Sequence, residues 1–85
     1  MDNAKSQSPI AVDDTGSYTI AIDYNASNNP VYIGKSNPGS TKGDSLWQIR
    51  KITYNASNNP IDVQWANGVC SFDKIWDNRV SYTYS

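Results

Sequence analysis

Apolar and polar residues alternate over several short stretches of the chain, and a period of two predicts β-strands. In the clearest stretch, one face would carry Tyr18, Ile20, Ile22 and Tyr24, and the other would carry Thr19, Ala21 and Asp23. Turn-forming residues separate this stretch from others of the same kind. The predicted strands cover 17–24, 30–35, 46–54, 60–66, 69–72 and 79–84, and one helical turn is predicted near 73–78.

Composition agrees with this pattern. Ile, Val, Tyr and Trp supply most of the apolar residues, and such β-branched and aromatic side chains suit a pleated, half-buried surface. We therefore predict an all-β fold, a small antiparallel β-sandwich or partly open barrel of about five or six short strands. One short helical turn is expected near the C-terminus.

A segment of seven residues occurs twice, letter for letter, as YNASNNP at 24–30 and again at 54–60. Each copy follows one apolar stretch and precedes another, and Asn tolerates the positive φ that tight turns require. The repeat predicts two related β-hairpins whose loops share one backbone conformation. The predicted turn residues are Asn25, Asn28, Asn29 and Pro30 in the first copy and Asn55, Asn58, Asn59 and Pro60 in the second.

Two further features concern the later strands. Asn67-Gly68 is a strong signal for a two-residue turn, and it would join 60–66 to 69–72. In 46–54 the apolar alternation changes phase after Ile49, which predicts a β-bulge near Arg50 and Lys51.

The chain divides into a polar N-terminal arm, 1–16, and a single β domain, 17–85, that contains the duplicated hairpin. A chain of 85 residues has room for one hydrophobic core. The arm has one apolar island, Ile10, Ala11 and Val12, which we expect to bind a partner subunit by adding to an exposed sheet edge.

The residues most used in catalysis and metal binding are rare in this chain. It contains no histidine, and all eight of its acidic residues are aspartates. We therefore predict no enzyme activity, no catalytic residue, no metal site and no cofactor. The single cysteine, Cys70, is expected to be reduced and at least partly buried on the core side, two residues before Phe72.

Charge and hydropathy narrow the range of partners. The formal net charge is −1 and the seven basic residues are scattered, which argues against nucleic acid as a partner. No apolar run is long enough to cross a membrane, and the first residues lack the apolar core of a signal peptide. We therefore expect synthesis in the cytoplasm and no membrane partner.

Aromatic residues are the remaining candidates for a binding role. Most of the ten must be core residues, because a small domain has little else to bury. Any that stay exposed could anchor a protein interface or stack on sugar rings. The tryptophans considered for a glycan or an interface are Trp47, Trp65 and Trp76.

From Tyr24 to Tyr84 the chain resembles small virion-associated structural proteins of tailed bacteriophages. The resemblance is carried by the YNASNNP turns and by the segments VYIGKSNPGS, LWQIRKITY and FDKIWDNRVSYTY. It implies a non-enzymatic subunit present in many copies in the virion, on the tail, the neck or the capsid surface. Its partners would be other virion subunits and copies of itself. The alternative is a carbohydrate-binding module at a fibre or particle surface.

Overall fold

The computed structural model describes residues 17–85, which form an open antiparallel sheet followed by a short 3₁₀-helix. The first four strands lie side by side in chain order, and a fifth short strand pairs with the start of the third. The all-β prediction, with antiparallel strands and one short helix near the C-terminus, is therefore confirmed. The elements are β1 (Thr19–Tyr24), β2 (Pro30–Ser36), β3 (Ser45–Tyr54), β4 (Pro60–Trp65), β5 (Lys74–Ile75) and the 3₁₀-helix Trp76–Ser81.

The two copies of the repeat form two hairpin loops of the same structure. In the first copy, Asn25 Oδ1 accepts hydrogen bonds from the backbone N–H groups of Ser27 and Asn29, at 2.9 and 3.0 Å. The second copy repeats these contacts thirty residues later, at 2.9 and 3.1 Å. The penultimate Asn of each loop, Asn28 or Asn58, has a positive φ, of 62° or 64°. Identical turn residues therefore select one backbone conformation twice.

We expect Asn28→Ala to lower the free energy of unfolding by about 1 kcal/mol, because alanine lacks the short polar side chain that lets Asn tolerate the left-handed region. Asn28→Gly should cost no more than a few tenths of a kcal/mol, since glycine has no Cβ penalty there. Urea denaturation of the two variants measures this difference. Equal destabilisation by Ala and Gly would contradict the role of the positive φ.

The sheet has one face that other elements cover. This covered face carries the small residues Ala21 and Gly34 and the large residues Trp47 and Ile49. Trp76, from the 3₁₀-helix, packs on them, and its ring centroid lies 5.9 Å from that of Trp47. The buried apolar residues of the described chain are Ala21, Trp47, Ile49, Ala66 and Trp76, with Tyr32, Tyr82 and Tyr84 packed around them.

Polar contacts hold the C-terminal segment against the covered face. Arg79 Nε donates a hydrogen bond to Asp23 Oδ2 on β1 at 2.9 Å, and its guanidinium lies 4.7 Å from the centre of the Trp76 ring. The Tyr84 hydroxyl donates to the carbonyl of Arg79 at 2.8 Å. The Tyr82 hydroxyl accepts from the N–H of Ile75 at 2.8 Å. These bonds fix where Trp76 meets the sheet.

Three predictions for the C-terminal third are wrong in detail. Residues 69–72 are not a strand, and 79–84 is not a strand either, since the 3₁₀-helix ends at Ser81 and only Tyr84 bridges to Ala66. The helical turn predicted near 73–78 begins at Trp76, after the short β5. The alternation of Tyr82 and Tyr84 arises because both rings pack around the core while their hydroxyls bond to backbone.

The predicted β-bulge near Arg50 and Lys51 is also wrong. Strand pairing runs regularly through both residues, and the register shifts in β3 fall at Ser45/Trp47 and Thr53/Tyr54 instead. The apolar phase changes because Ile49 lies on the covered face and Ile52 on the opposite one. A strand that is apolar on both faces needs no bulge to explain its pattern.

Burial of the Tyr84 phenol, with Tyr32 and Tyr82 nearby, raises the pKa of Tyr84 well above its ordinary value of 10.0. In the unfolded chain the phenol loses its proton near pH 10, so the unfolded state binds fewer protons there and stability falls as the pH rises. We expect the destabilisation caused by Tyr84→Phe to shrink between about pH 9 and pH 11. Denaturant titrations at several pH values measure this, and a constant difference would contradict it.

Candidate assembly surface

The opposite face of the sheet, which we call the open face, is apolar and accessible. On β1 and β4, Ile22 is 45% exposed and Val63 is 55% exposed, although their cross-strand partners Ile33 and Ile52 are also apolar. Apolar pairs of this kind normally pack against a second layer. The apolar residues of the open face are Ile20, Ile22, Tyr24, Ile33, Ile52, Tyr54, Ile61, Val63 and Trp65.

The sequence leaves this face uncovered because the described chain has a single covering segment. That segment, 76–84, packs on the face that contains Ala21 and Trp47, and it is bonded there. In β1, the more apolar side of the strand therefore faces outward. Within residues 17–85, only the segment around Cys70 and Phe72 reaches the open face, and it does so at one end.

That end is a small groove lined by Tyr18, Asn37, Leu46 and Phe72, with a volume of about 190 Å³. Tyr18 and Phe72 stack with their ring centres 5.6 Å apart. Pockets that enclose a small-molecule substrate are usually larger, about 300–1,000 Å³. The groove is therefore better described as the rim of the open face than as a substrate pocket.

Two positive charges lie among the apolar side chains of the open face. Lys35 on β2 lies directly opposite Gln48 on β3, and Arg50 follows Gln48 by two residues on the same strand. Lys35 and Arg50 are therefore diagonal neighbours, and positions so related are about 7–8 Å apart. Lys35 Nζ lies 4.9 Å from the Tyr18 ring centre and the Arg50 guanidinium 5.9 Å from that of Trp65. Neither cation pairs with a carboxylate of residues 17–85.

The carboxylates of the sheet strands lie on the other face. Asp23 pairs across the strands with Tyr32, and Asp62 pairs with Thr53, and these positions belong to the covered side. In the part of the chain that the structure describes, the sheet residues of the open face are thus apolar, aromatic, amide or cationic. The electrostatic potential of this surface favours an anionic group on whatever covers it.

The size of the open face is that of an interaction site. Four strands about 4.8 Å apart and about six residues long, at about 3.3 Å per residue, cover on the order of 400 Å² in projection. Apolar patches of this size on monomers are often functional.

Both outer edges of the sheet retain unpaired backbone groups. At the end of β4, Trp65 exchanges two backbone hydrogen bonds with Ser85, at 2.9 and 3.2 Å, and Asn67 N–H donates to Thr83 at 2.7 Å. The earlier part of β4 and the outer side of β1 have no strand partner within residues 17–85. Such edges can accept an added strand.

The tryptophans considered for binding divide between core and surface. Trp47 is 1% exposed and Trp76 is 5% exposed, so neither offers an open ring face to a sugar or a partner. Trp47 Nε1 donates to the carbonyl of Thr41 at 2.9 Å, as a buried indole must. Trp65 lies on the open face and is half-buried. Of the three, it alone could take part in recognition there.

The predicted turn residues of the two repeats lie at one end of the sheet, where Pro30 and Pro60 begin β2 and β4. Because β2 pairs with β3, the two repeat loops are neighbours, and Asn29 Nδ2 donates to Asn58 Oδ1 at 3.2 Å. Asn67 and Gly68 both have positive φ, 54° and 72°, and form a tight turn, as their sequence predicts. The turn does not lead into a strand, and the backbone of Trp65 and Asn67 instead bonds to Ser85 and Thr83.

Two other candidates are placed differently. Cys70 is exposed, which corrects the prediction that it is partly buried on the core side. Cys70 lies on an irregular segment, and its backbone carbonyl accepts a hydrogen bond from Gln48 Nε2 at 2.8 Å. The strand predicted at 69–72, which would have turned the Cys70 side chain inward, does not form. The apolar island Ile10, Ala11 and Val12 lies outside the described residues.

Comparison with known proteins adds no relative: no family model, characterised protein or solved structure matches the chain. Within residues 17–85, no helix is long and apolar enough to cross a membrane. The same residues contain no cluster of three or more potential metal ligands. The open face is therefore the feature of the described chain on which a function can be argued.

The sequence patterns did not identify Lys35 and Arg50 as candidate binding residues. They also did not predict that the more apolar side of β1 is the accessible one. One signal was present. Strand β3 is apolar on both faces, with Trp47 and Ile49 on one and Ile52 and Tyr54 on the other. Within residues 17–85 the C-terminal segment covers one face of the sheet, so the apolar residues on the other face stay accessible.

Proposed function

We propose that this protein is a non-enzymatic structural subunit that assembles in multiple copies through the open face of its sheet. The observation that carries the proposal is the row of apolar side chains that no element of residues 17–85 covers. The sequence resemblance to small virion proteins of tailed bacteriophages points to the same role. The particle would then be a virion, with other virion subunits and copies of this chain as partners.

Energetics support an assembly role. Five apolar residues are buried in the described chain, a small core for a domain of this length. Burial of the open face would add apolar contact at roughly 25 cal/mol per Å² removed from water, less the cost of association. A subunit of this design is stabilised by its neighbours.

Self-association tests the proposal directly. Analytical ultracentrifugation of the full chain over a range of concentrations should show masses that are multiples of the 9.4 kDa protomer. Ile22→Asp should reduce association at least about tenfold, because it places a charge in the interface core, from which charges are normally depleted. Ile22 is 45% exposed, so the fold should tolerate the change.

Val80→Asp is the matched control, since Val80 is 71% exposed and lies on the 3₁₀-helix, across the sheet from the open face. It should associate like the wild type. A wild-type chain that stays at 9.4 kDa, or an Ile22→Asp variant that associates fully, would contradict the proposal.

The carbohydrate-binding alternative depends on Trp65, because Trp47 and Trp76 are buried. The Arg50 guanidinium already lies over the Trp65 ring. A glycan array with the wild type and Trp65→Ala tests this alternative, and binding of a defined glycan that is lost in the variant would favour it.

A further inference from the structure

The open face needs a complementary surface, and the identity of that surface can be inferred if the proposed function, on which the inference rests, is correct. When copies of one chain assemble, the partner surface must come from the same sequence. Two open faces packed on each other would bring Lys35 and Arg50 of each copy to one interface, where like charges are destabilising. The complement should instead be apolar and acidic.

A segment of the N-terminal arm, outside the strands of the sheet, has that composition. Residues 10–14 read Ile-Ala-Val-Asp-Asp, three apolar residues followed by two carboxylates. In an extended chain Ile10, Val12 and Asp14 point to one side, because side chains alternate with a period of two. That side would present two aliphatic groups and one carboxylate to a sheet.

We propose that residues 10–14 of a neighbouring copy lie extended on the open face, with Ile10 and Val12 on its apolar side chains and Asp14 between Lys35 and Arg50. The two cations are diagonal neighbours in the sheet, with backbone positions about 7–8 Å apart. Their long side chains now lie over the rings of Tyr18 and Trp65, and both would turn from these rings to a carboxylate placed between them. The interface would be heterologous, because the segment of one copy binds the face of the next copy. Copies would therefore add in one direction.

The position of the segment in the chain favours a neighbouring copy. Asp14 lies four residues before Tyr18, next to which Lys35 is found, whereas Arg50 lies two strands further in, about 10 Å from β1. A segment folded back on its own domain would have to reverse within 13–17, which leaves Asp14 at the turn and Arg50 without a partner. A neighbour's segment can run straight over both cations.

A charge exchange between two variants tests the proposal. The donor variant is Asp14→Lys, and the acceptor variant is Lys35→Asp/Arg50→Asp. Each alone should associate at least about tenfold more weakly than the wild type, because like charges then face each other. An equimolar mixture should regain association, because donor lysine meets acceptor aspartates. Recovery on mixing requires contact between different chains.

Controls separate this inference from the proposed function. Asp13→Lys makes the same change in net charge on the other side of the extended segment, and it should weaken association much less than Asp14→Lys. Lys42→Asp, in an exposed loop, should leave association unchanged. Circular dichroism checks that each variant folds, and the donor variant alone still tests the contact if the acceptor variant does not fold.

Three results are decisive. Recovery in the mixture supports the proposal. If the wild type, the variants and the mixture all associate equally well, the inference is overturned and the proposed function stands. A wild-type chain that is monomeric at every concentration overturns both.

Discussion

Trp76→Ala is expected to lower the free energy of unfolding by about 4 kcal/mol, as is typical when a large aromatic residue is removed from a core. Trp76 is 5% exposed and fills the space between the 3₁₀-helix and the sheet. Its loss also removes the ring under the guanidinium of Arg79, which anchors the C-terminal segment to Asp23. Small domains have total stabilities of about 5–15 kcal/mol, so this variant should be largely unfolded in mild denaturant.

Val80→Ala is the control for that experiment. Val80 lies on the same 3₁₀-helix but is 71% exposed, so its truncation should change stability by no more than about 0.5 kcal/mol. Urea denaturation followed by circular dichroism measures both. Similar losses for the two variants would show that Trp76 is not the packing centre of the covered face.

Gly34→Ala should be nearly as disruptive, with an expected loss of about 3 kcal/mol from overpacking. A Cβ at Gly34 would lie 2.5 Å from Cε3 of Trp76 and 3.0 Å from Cε3 of Trp47. Both rings are buried and interlocked, so neither can move away without opening the core. Glycine is needed here for space.

Gly43→Ala is a matched control, because the nearest atom to a Cβ there is Asp77 Oδ2, at 3.9 Å. It should be neutral within about 0.5 kcal/mol. The clash also predicts non-additivity: Trp76→Leu should make the loss caused by Gly34→Ala smaller than it is in the wild type. A full loss in both backgrounds would contradict the proposed steric cause.

The first four strands could be predicted from the sequence because their signals are local. Alternation marks β1, and the repeated YNASNNP segment fixes both hairpin loops through the same Asn side-chain bonds. The C-terminal third could not be predicted in this way. Its conformation depends on Trp76 meeting Gly34 across the sheet and on Arg79 meeting Asp23, contacts between residues far apart in sequence.

The candidate site was hidden for the same reason. Alternation shows that Ile20 and Ile22 share a face, but it does not show which face of the sheet the C-terminal segment covers. Once Trp76 packs over Gly34, the side chains on the far side are left accessible. Lys35 and Arg50 become neighbours only through the β2–β3 register, which no local pattern encodes.

Hydroxyl-radical footprinting of the wild-type chain at low and high concentration tests most directly whether the open face is the assembly surface. Tyr24 and Trp65, on that face, should become protected as the concentration rises, while Val80, on the other side, should be oxidised equally in both samples. Protection of Val80 with unchanged oxidation of Tyr24 and Trp65 would contradict assembly through the open face.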